Sequence, residues 1–156
     1  MTAPLAGRTV LVTRPQQQAA ALSQAIRAAG GEVFDFPALV IEAIPPDALR
    51  ASLAWLKDAD IAIFISPNAA RFGMTAIQAA GGVRGSTEVF AVGPGTTRAL
   101  RNLGVAQVIT PQGQDSEALL ALPQLQHVAG KRVVIVRGVG GRALLSDSLR
   151  ARGADV

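Results

Sequence analysis

Short aliphatic runs recur along this chain, each followed by a stretch with apolar residues at helical spacing and then by glycine. "TVLVT" at 9–13 leads into residues 16–29, where Leu22, Ile26 and Ala29 share one helical face, and Gly30 and Gly31 close the unit. The same order returns with strands predicted at 32–36, 61–66, 88–93, 106–110 and 132–136, and helices over 46–56, 67–80, 96–103, from Ser116, and up to Gly153. Residues 38–43, "ALVIEA", read as a further extended piece between Pro37 and Pro45, and Pro46 with Asp47 suits a helix start. A parallel neighbour needs a crossover connection, and a helix supplies it, so this alternation predicts an α/β chain with parallel sheets of the doubly wound kind.

An apolar fraction of 49 % over 156 residues provides for a sizeable core. The longest aliphatic or aromatic runs, such as "IAIFI" at 61–65, are far shorter than the roughly 18 residues of a membrane span, so no membrane association is expected. "MTAPLAGR" has no basic segment leading into an apolar one, and cysteine is absent, so neither a secretory signal nor a disulfide framework is read here and the cytoplasm is the expected location. Fifteen Lys and Arg against eleven Asp and Glu give a net charge of +4, which favours anionic partners. The basic residues are scattered (Arg8, Arg14, Arg27, Arg71, Arg98, Arg137) and Tyr is absent, so no stacking platform for nucleic acid is present and small acidic ligands fit better.

The last stretch of the chain repeats the first. Residues 8–33, "RTVLVTRPQQQAAALSQAIRAAGGEV", and 131–156, "KRVVIVRGVGGRALLSDSLRARGADV", align without a gap. Identities include Arg14 with Arg137 directly after the strand, Ser23 with Ser146, Arg27 with Arg150, Gly30 with Gly153 and Val33 with Val156. Shared aliphatic residues and a closing glycine are common to any two strand–helix units, but Arg, Ser and Arg in register are not. A repeat at this long spacing points to two related domains rather than a solenoid. Because Val156 matches Val33, where the first copy runs on into "FDFPALVIEAIPP", the chain is expected to stop as a strand begins, with the remainder of a domain beyond it.

Five motifs in order carry a family resemblance: "LVTRP" (11–15), "IFISPNAA" (63–70), "AVGPGTTRAL" (91–100) with Gly104, Pro111 followed by "DSEALLAL" (115–122), and "GKRVVIVRGVGGRALLSDSLRARGADV" (130–156). Over its whole length the chain resembles the uroporphyrinogen-III synthase family. The resemblance implies two flavodoxin-like parallel-sheet domains joined by a two-stranded linker, the first domain built from both chain ends. Residues 1–37 would begin that domain, 38–45 would be one linker strand, and 46–156 would be most of the second, nearly complete domain. It also implies a cytoplasmic, monomeric, cofactor-free hydro-lyase. Such an enzyme takes the linear tetrapyrrole hydroxymethylbilane, handed over from hydroxymethylbilane synthase, loses water from it and closes it to uroporphyrinogen III with the last ring inverted. The family's returning linker strand carries a Tyr proposed to help the hydroxyl leave. This chain has no Tyr, so the catalytic residues are unknown and 1–156 alone is expected to be inactive.

Loops at the carboxyl ends of parallel strands feed helix N-termini, whose free N–H groups suit the acetate and propionate groups of such a substrate. The candidate substrate-binding residues are therefore Arg14 after the first strand, Ser66, Pro67 and Asn68 after "IAIFI", Gly93, Thr96 and Thr97 after "VFAV", and Arg137 and Gly138 after "VVIV". Each has a plainer role open to it. Arg14 and Arg137 can form surface ion pairs, Ser66 and Asn68 can cap a helix, Gly93 and Gly95 can allow a turn, and Thr96 or Thr97 can cap. Gly138, Gly140 and Ala143 imitate a dinucleotide fingerprint, but the matching first copy "RPQQQA" has no glycine. His127, the only histidine, has no metal-ligand neighbours in sequence, and no metal is expected. The alternative function is a non-catalytic flavodoxin-like anion- or nucleotide-binding module, for which the same helix termini suffice.

Overall fold

A computed structural model describes residues 3–156. The chain divides into two compact units, one running to Ala43 and the other Ile44–Val156. In the first, β1 (Thr9–Val12) and β2 (Glu32–Asp35) pair in parallel, with α1 (Gln16–Ala28) as the crossover. Val12, Ala19 and Ile26 are buried together, and Leu5, Val10 and Val33 pack against them. Strand alternation turns Leu11 and Phe34, which face each other in the ladder, onto the opposite side, where they are 57 % and 58 % exposed. Leu22, assigned by periodicity to the apolar face, is exposed, and Ser23 takes the buried place and donates to the Asp35 carboxylate at 2.8 Å. Residues 38–43 have no strand partner among the described residues. Pro37 contributes no N–H, and among the described residues the run's backbone is tied where the Ala38 N–H reaches the Thr13 carbonyl at 3.1 Å.

The second unit contains α2 (Pro46–Leu56), β3 (Ile61–Phe64), α3 (Pro67–Ala79), β4 (Glu88–Ala91), α4 (Pro94–Asn102), α5 (Ser116–Leu120), α6 (Pro123–Gln126), β5 (Val133–Val136) and α7 (Leu144–Ala151). β3 lies between β4 and β5, all parallel, and every residue of β3 is buried. That is why it reads as an unbroken aliphatic run: a central parallel strand is covered on both faces. Ile61, Ile63, Phe90 and Val133 pack under Leu119, Leu125, Leu145 and Leu149 of α5, α6 and α7. Ala62, Phe64 and Ala91 pack under Leu56, Met74, Ile77 and Leu100 of α2, α3 and α4. The result is a three-layer α/β/α unit, in agreement with the expected α/β class with parallel sheets, but the pairing of Ile109 with β4 and of Asp155 beside β5 makes its strand order differ from the expected flavodoxin-like one.

The strand expected at 106–110 contracts to a single bridge, Ile109 with Phe90, backed by bonds from Ile109 N–H to Val89 and from Ala91 N–H to Ile109, both 2.9 Å. Ala106 and Gln107 face solvent, and Pro111 has no donor to extend the ladder. α4 opens at Pro94 rather than Thr96, with proline in the first turn where its missing N–H costs nothing. The largest departure follows β5. In the first copy of the repeat the helix opens at Gln16, whose counterpart is Val139, yet α7 opens only at Leu144. Gly138, Gly140 and Gly141 replace proline and glutamines there, and φ of 79° at Gly140 and 91° at Gly141 is incompatible with a right-handed helix.

Apart from that loop, the repeat seen in sequence is repeated in geometry. Arg132 bridges Asp155 as Thr9 pairs with Glu32, and the Asp155 N–H reaches Lys131 at 2.9 Å as Glu32 reaches Arg8 at 2.8 Å. The glycines following the two helices have φ of 84° (Gly30) and 83° (Gly153). Chance similarity of two strand–helix units does not require the same hydrogen bonds at the same register.

α3 crosses β5 so closely that a methyl group added at Gly73 would sit 2.4 Å from a Val136 methyl carbon. Alanine is the better helix former by about 1 kcal/mol, but overpacking of this kind costs about 1–3 kcal/mol. Gly73→Ala is therefore expected to lower the urea midpoint, whereas the helix-propensity term alone would raise it.

Candidate functional site

The extended segments of the second unit, taken in chain order as β3, β4, Ile109, β5 and Asp155, lie in the spatial order third, second, first, fourth, fifth. The order reverses between β3 and β5, and in an open α/β sheet the crevice outside the carboxyl ends of the strands at such a point is where ligands bind. The loops after β3 and β5 flank it, joined where the Ile65 N–H reaches the Val136 carbonyl at 3.3 Å.

Ser66 has an extended backbone, and its Oγ accepts the Ala69 N–H at 3.1 Å, so its hydroxyl oxygen caps α3. Pro67 occupies the first turn and is exposed; Asn68 is half-buried beside it. A methyl group built on Gly95 would touch the Pro67 ring at 3.5 Å, and one on Gly93 would lie 3.7 Å from the Gln114 side chain. The loops after β3, β4 and Ile109 thus adjoin along one rim.

At α4 the residue before the helix is Gly93, with φ −157°, an extended conformation open to any residue, and ordinary contact distances around it. Neither backbone strain nor crowding calls for glycine. Its effect is to leave the helix N-terminus without a side-chain cap, and its first turn holds no acidic residue. The adjoining threonines differ. Thr97 Oγ1 donates to the Gly93 carbonyl at 3.1 Å and meets Thr110 Oγ1 at 2.7 Å, fastening the edge segment to the loop. Thr96 is only 3 % exposed, and its hydroxyl has no hydrogen bond among the described residues. Among those residues no side-chain polar atom is sealed away without a partner, so the small opening at Thr96 includes its oxygen. A nearly buried hydroxyl thus lies in the first turn of a helix whose start has no side-chain cap, and hydroxyl and N–H donors of this kind suit a carboxylate.

Arg137 folds back on its own loop. Nη1 donates to the Arg142 carbonyl at 3.1 Å and Nε to that of Gly138 at 3.4 Å. Gly138 is exposed at the start of this loop, and the Arg142 guanidinium pairs with Glu117 in the first turn of α5. That hydrogen bond and the backbone N–H of Glu117 hold the Glu117 carboxyl below its ordinary range. Asp115 caps α5 by accepting the Ala118 N–H at 2.8 Å. Arg14 lies in the first unit, exposed after β1, with no ion pair among the described residues. Glu117 and Arg142 escaped sequence reading because only folding pairs them; the signal present was the basic end of the glycine loop.

The glycine loop does not reproduce a dinucleotide turn. α7 opens after it, at Leu144, and has no side-chain cap. His127 is exposed, and among the described residues no cluster of three or more His, Cys, Asp or Glu is placed to hold a metal. No helix among them is long and apolar enough to cross a membrane.

Comparison with known proteins gives one answer. The family model for "Uroporphyrinogen-III synthase HemD" matches residues 20–156. Uroporphyrinogen-III synthase of Salmonella typhimurium is 38 % identical over 95 % of this chain and 61 % of its own length, and that of Escherichia coli K12 is 37 % identical over the same shares. The chain thus spans about three fifths of these relatives. A crystal structure of a mutant uroporphyrinogen III synthase from Thermus thermophilus has a TM-score of 0.73 at 21 % identity, covering 95 % of this chain and 59 % of that one, and shows a shared fold. With the matched family model covering most of its length, the chain belongs to the uroporphyrinogen-III synthase family.

Proposed function

We propose that this protein is a uroporphyrinogen-III synthase, converting hydroxymethylbilane to uroporphyrinogen III and water. Loss of the hydroxyl gives an electrophilic azafulvene. It attacks the substituted carbon of the last pyrrole, and the spiro intermediate fragments and recloses with that ring inverted. The protein's tasks are to assist departure of water, hold a reactive cation and fix a geometry in which inverted closure outruns the spontaneous uninverted one.

The observation that carries the reading is the uncapped start of α4, with the Thr96 hydroxyl in its first turn, one strand away from the β3–β5 reversal. They suit the acetate and propionate groups that the pyrroles carry. Ser66, Pro67 and Asn68, Gly93, and Arg137 with Gly138 line the same rim, and Arg14, exposed after β1, is a carboxylate ligand of the first unit taken by itself. Thr97 supports the loop rather than the ligand. We place the whole enzyme as two parallel-sheet α/β domains joined by a two-stranded linker, with 1–37 beginning the first, 38–45 as linker and 46–156 most of the second. The geometric repeat and the relatives' greater length support that placement. The enzyme then works as a cytoplasmic monomer that receives its substrate from hydroxymethylbilane synthase. Arg14→Gln in the full-length protein tests one contact: KM is expected to rise about tenfold, as for loss of a charge-assisted bond. An unchanged KM would remove Arg14 from substrate binding.

A further inference from the structure

We propose that Arg142 is a substrate-carboxylate ligand held in reserve by Glu117, whose own carboxylate occupies the guanidinium until one from the substrate displaces it. The proposal rests on the functional reading above and adds a residue to it. Arg142 ends the loop after β5, on the rim that the β3, β4 and α5 loops share. Its backbone is positioned without help from Glu117, because Arg137 grips the Arg142 carbonyl at 3.1 Å and the Gly138 carbonyl at 3.4 Å. Gly141 permits that grip: with φ of 91°, a side chain there would begin 3.1 Å from Arg137 Nη2. Only the Arg142 side chain has to move. Its partner is one carboxylate, with the two side chains 67 % and 53 % exposed, and an ion pair that open to water exchanges readily. Arginine recognises any carboxylate through the same planar fork, so the incoming group makes the contact Glu117 gives up. Glu117 keeps compensation after release: it lies in the first turn of α5, where the helix start favours negative charge.

The test uses the full-length protein, with Glu117→Gln and Arg142→Gln compared with wild type by steady-state kinetics on hydroxymethylbilane and by limited trypsin digestion. Trypsin must take the Arg142 side chain into its own pocket to cut after it, so cleavage between 142 and 143 reports how often that side chain is free. E117Q is expected to speed this cleavage about two- to fivefold and to lower KM by a similar factor, since both reflect the same lost competitor. R142Q is expected to raise KM about tenfold with kcat within about twofold. A KM raised by both variants, or unchanged in R142Q, would make the pair a structural strut and overturn the proposal. Equal cleavage rates in wild type and E117Q would overturn the reserve role. Absence of ring closure by folded wild-type protein would sink the functional reading and the ligand's identity with it, while the digestion still decides whether Glu117 occupies Arg142.

Discussion

Thr96→Val in the full-length protein is expected to lower kcat/KM for ring closure about 10- to 100-fold, the range for losing one hydrogen bond to a charged group. Its folding stability should stay within about 0.5 kcal/mol of wild type, because valine keeps the shape and the hydroxyl it replaces has no partner among the described residues. Thr97→Val is expected to behave in the opposite way. It removes the bond to the Gly93 carbonyl and leaves Thr110 without its 2.7 Å partner, a loss of about 1–2 kcal/mol readable in a urea titration. Adjacent residues of the same type thus separate a ligand contact from a structural one. Equal activity of T96V and wild type would take the α4 start out of the site.

The second large effect concerns the extent of the chain. Residues 1–156 alone are expected to close hydroxymethylbilane no faster than it closes spontaneously, and without inversion. They cover 61 % of the Salmonella relative. Among the described residues the sheet of the first unit has two strands, and Leu11 and Phe34 on one face are largely exposed, whereas a parallel α/β sheet is ordinarily covered on both sides. A rim that fixes a flexible tetrapyrrole needs rigid support on every side, since small misplacements cost much of the rate. Isomer III formed by 1–156 at the full-length rate would show that the second unit's rim suffices.

Much of the fold was legible because glycine and proline punctuate it. The helix starts at Pro46 and Pro67 and the stops near Gly30, Gly81 and Gly153 follow local backbone chemistry, and the β3 run reads as a strand buried on both faces. The repeat was legible too, since it rests on residues in register. Legibility ended where tertiary context decides. Whether 106–110 pairs at one residue or five depends on being an edge. In the site, Thr96 and Thr97 are indistinguishable as letters; their difference is that Thr110 stands beside one of them. Ser66 shows the reverse case, where the bland capping role expected of a serine before a helix is the one its Oγ performs.

The most direct measurement is the isomer ratio when the full-length protein is added to freshly generated hydroxymethylbilane and the products are oxidised and separated chromatographically. A large excess of isomer III over isomer I is the expected result. Isomer I alone, from a folded protein, would contradict the synthase and leave an anion-binding module on the same fold.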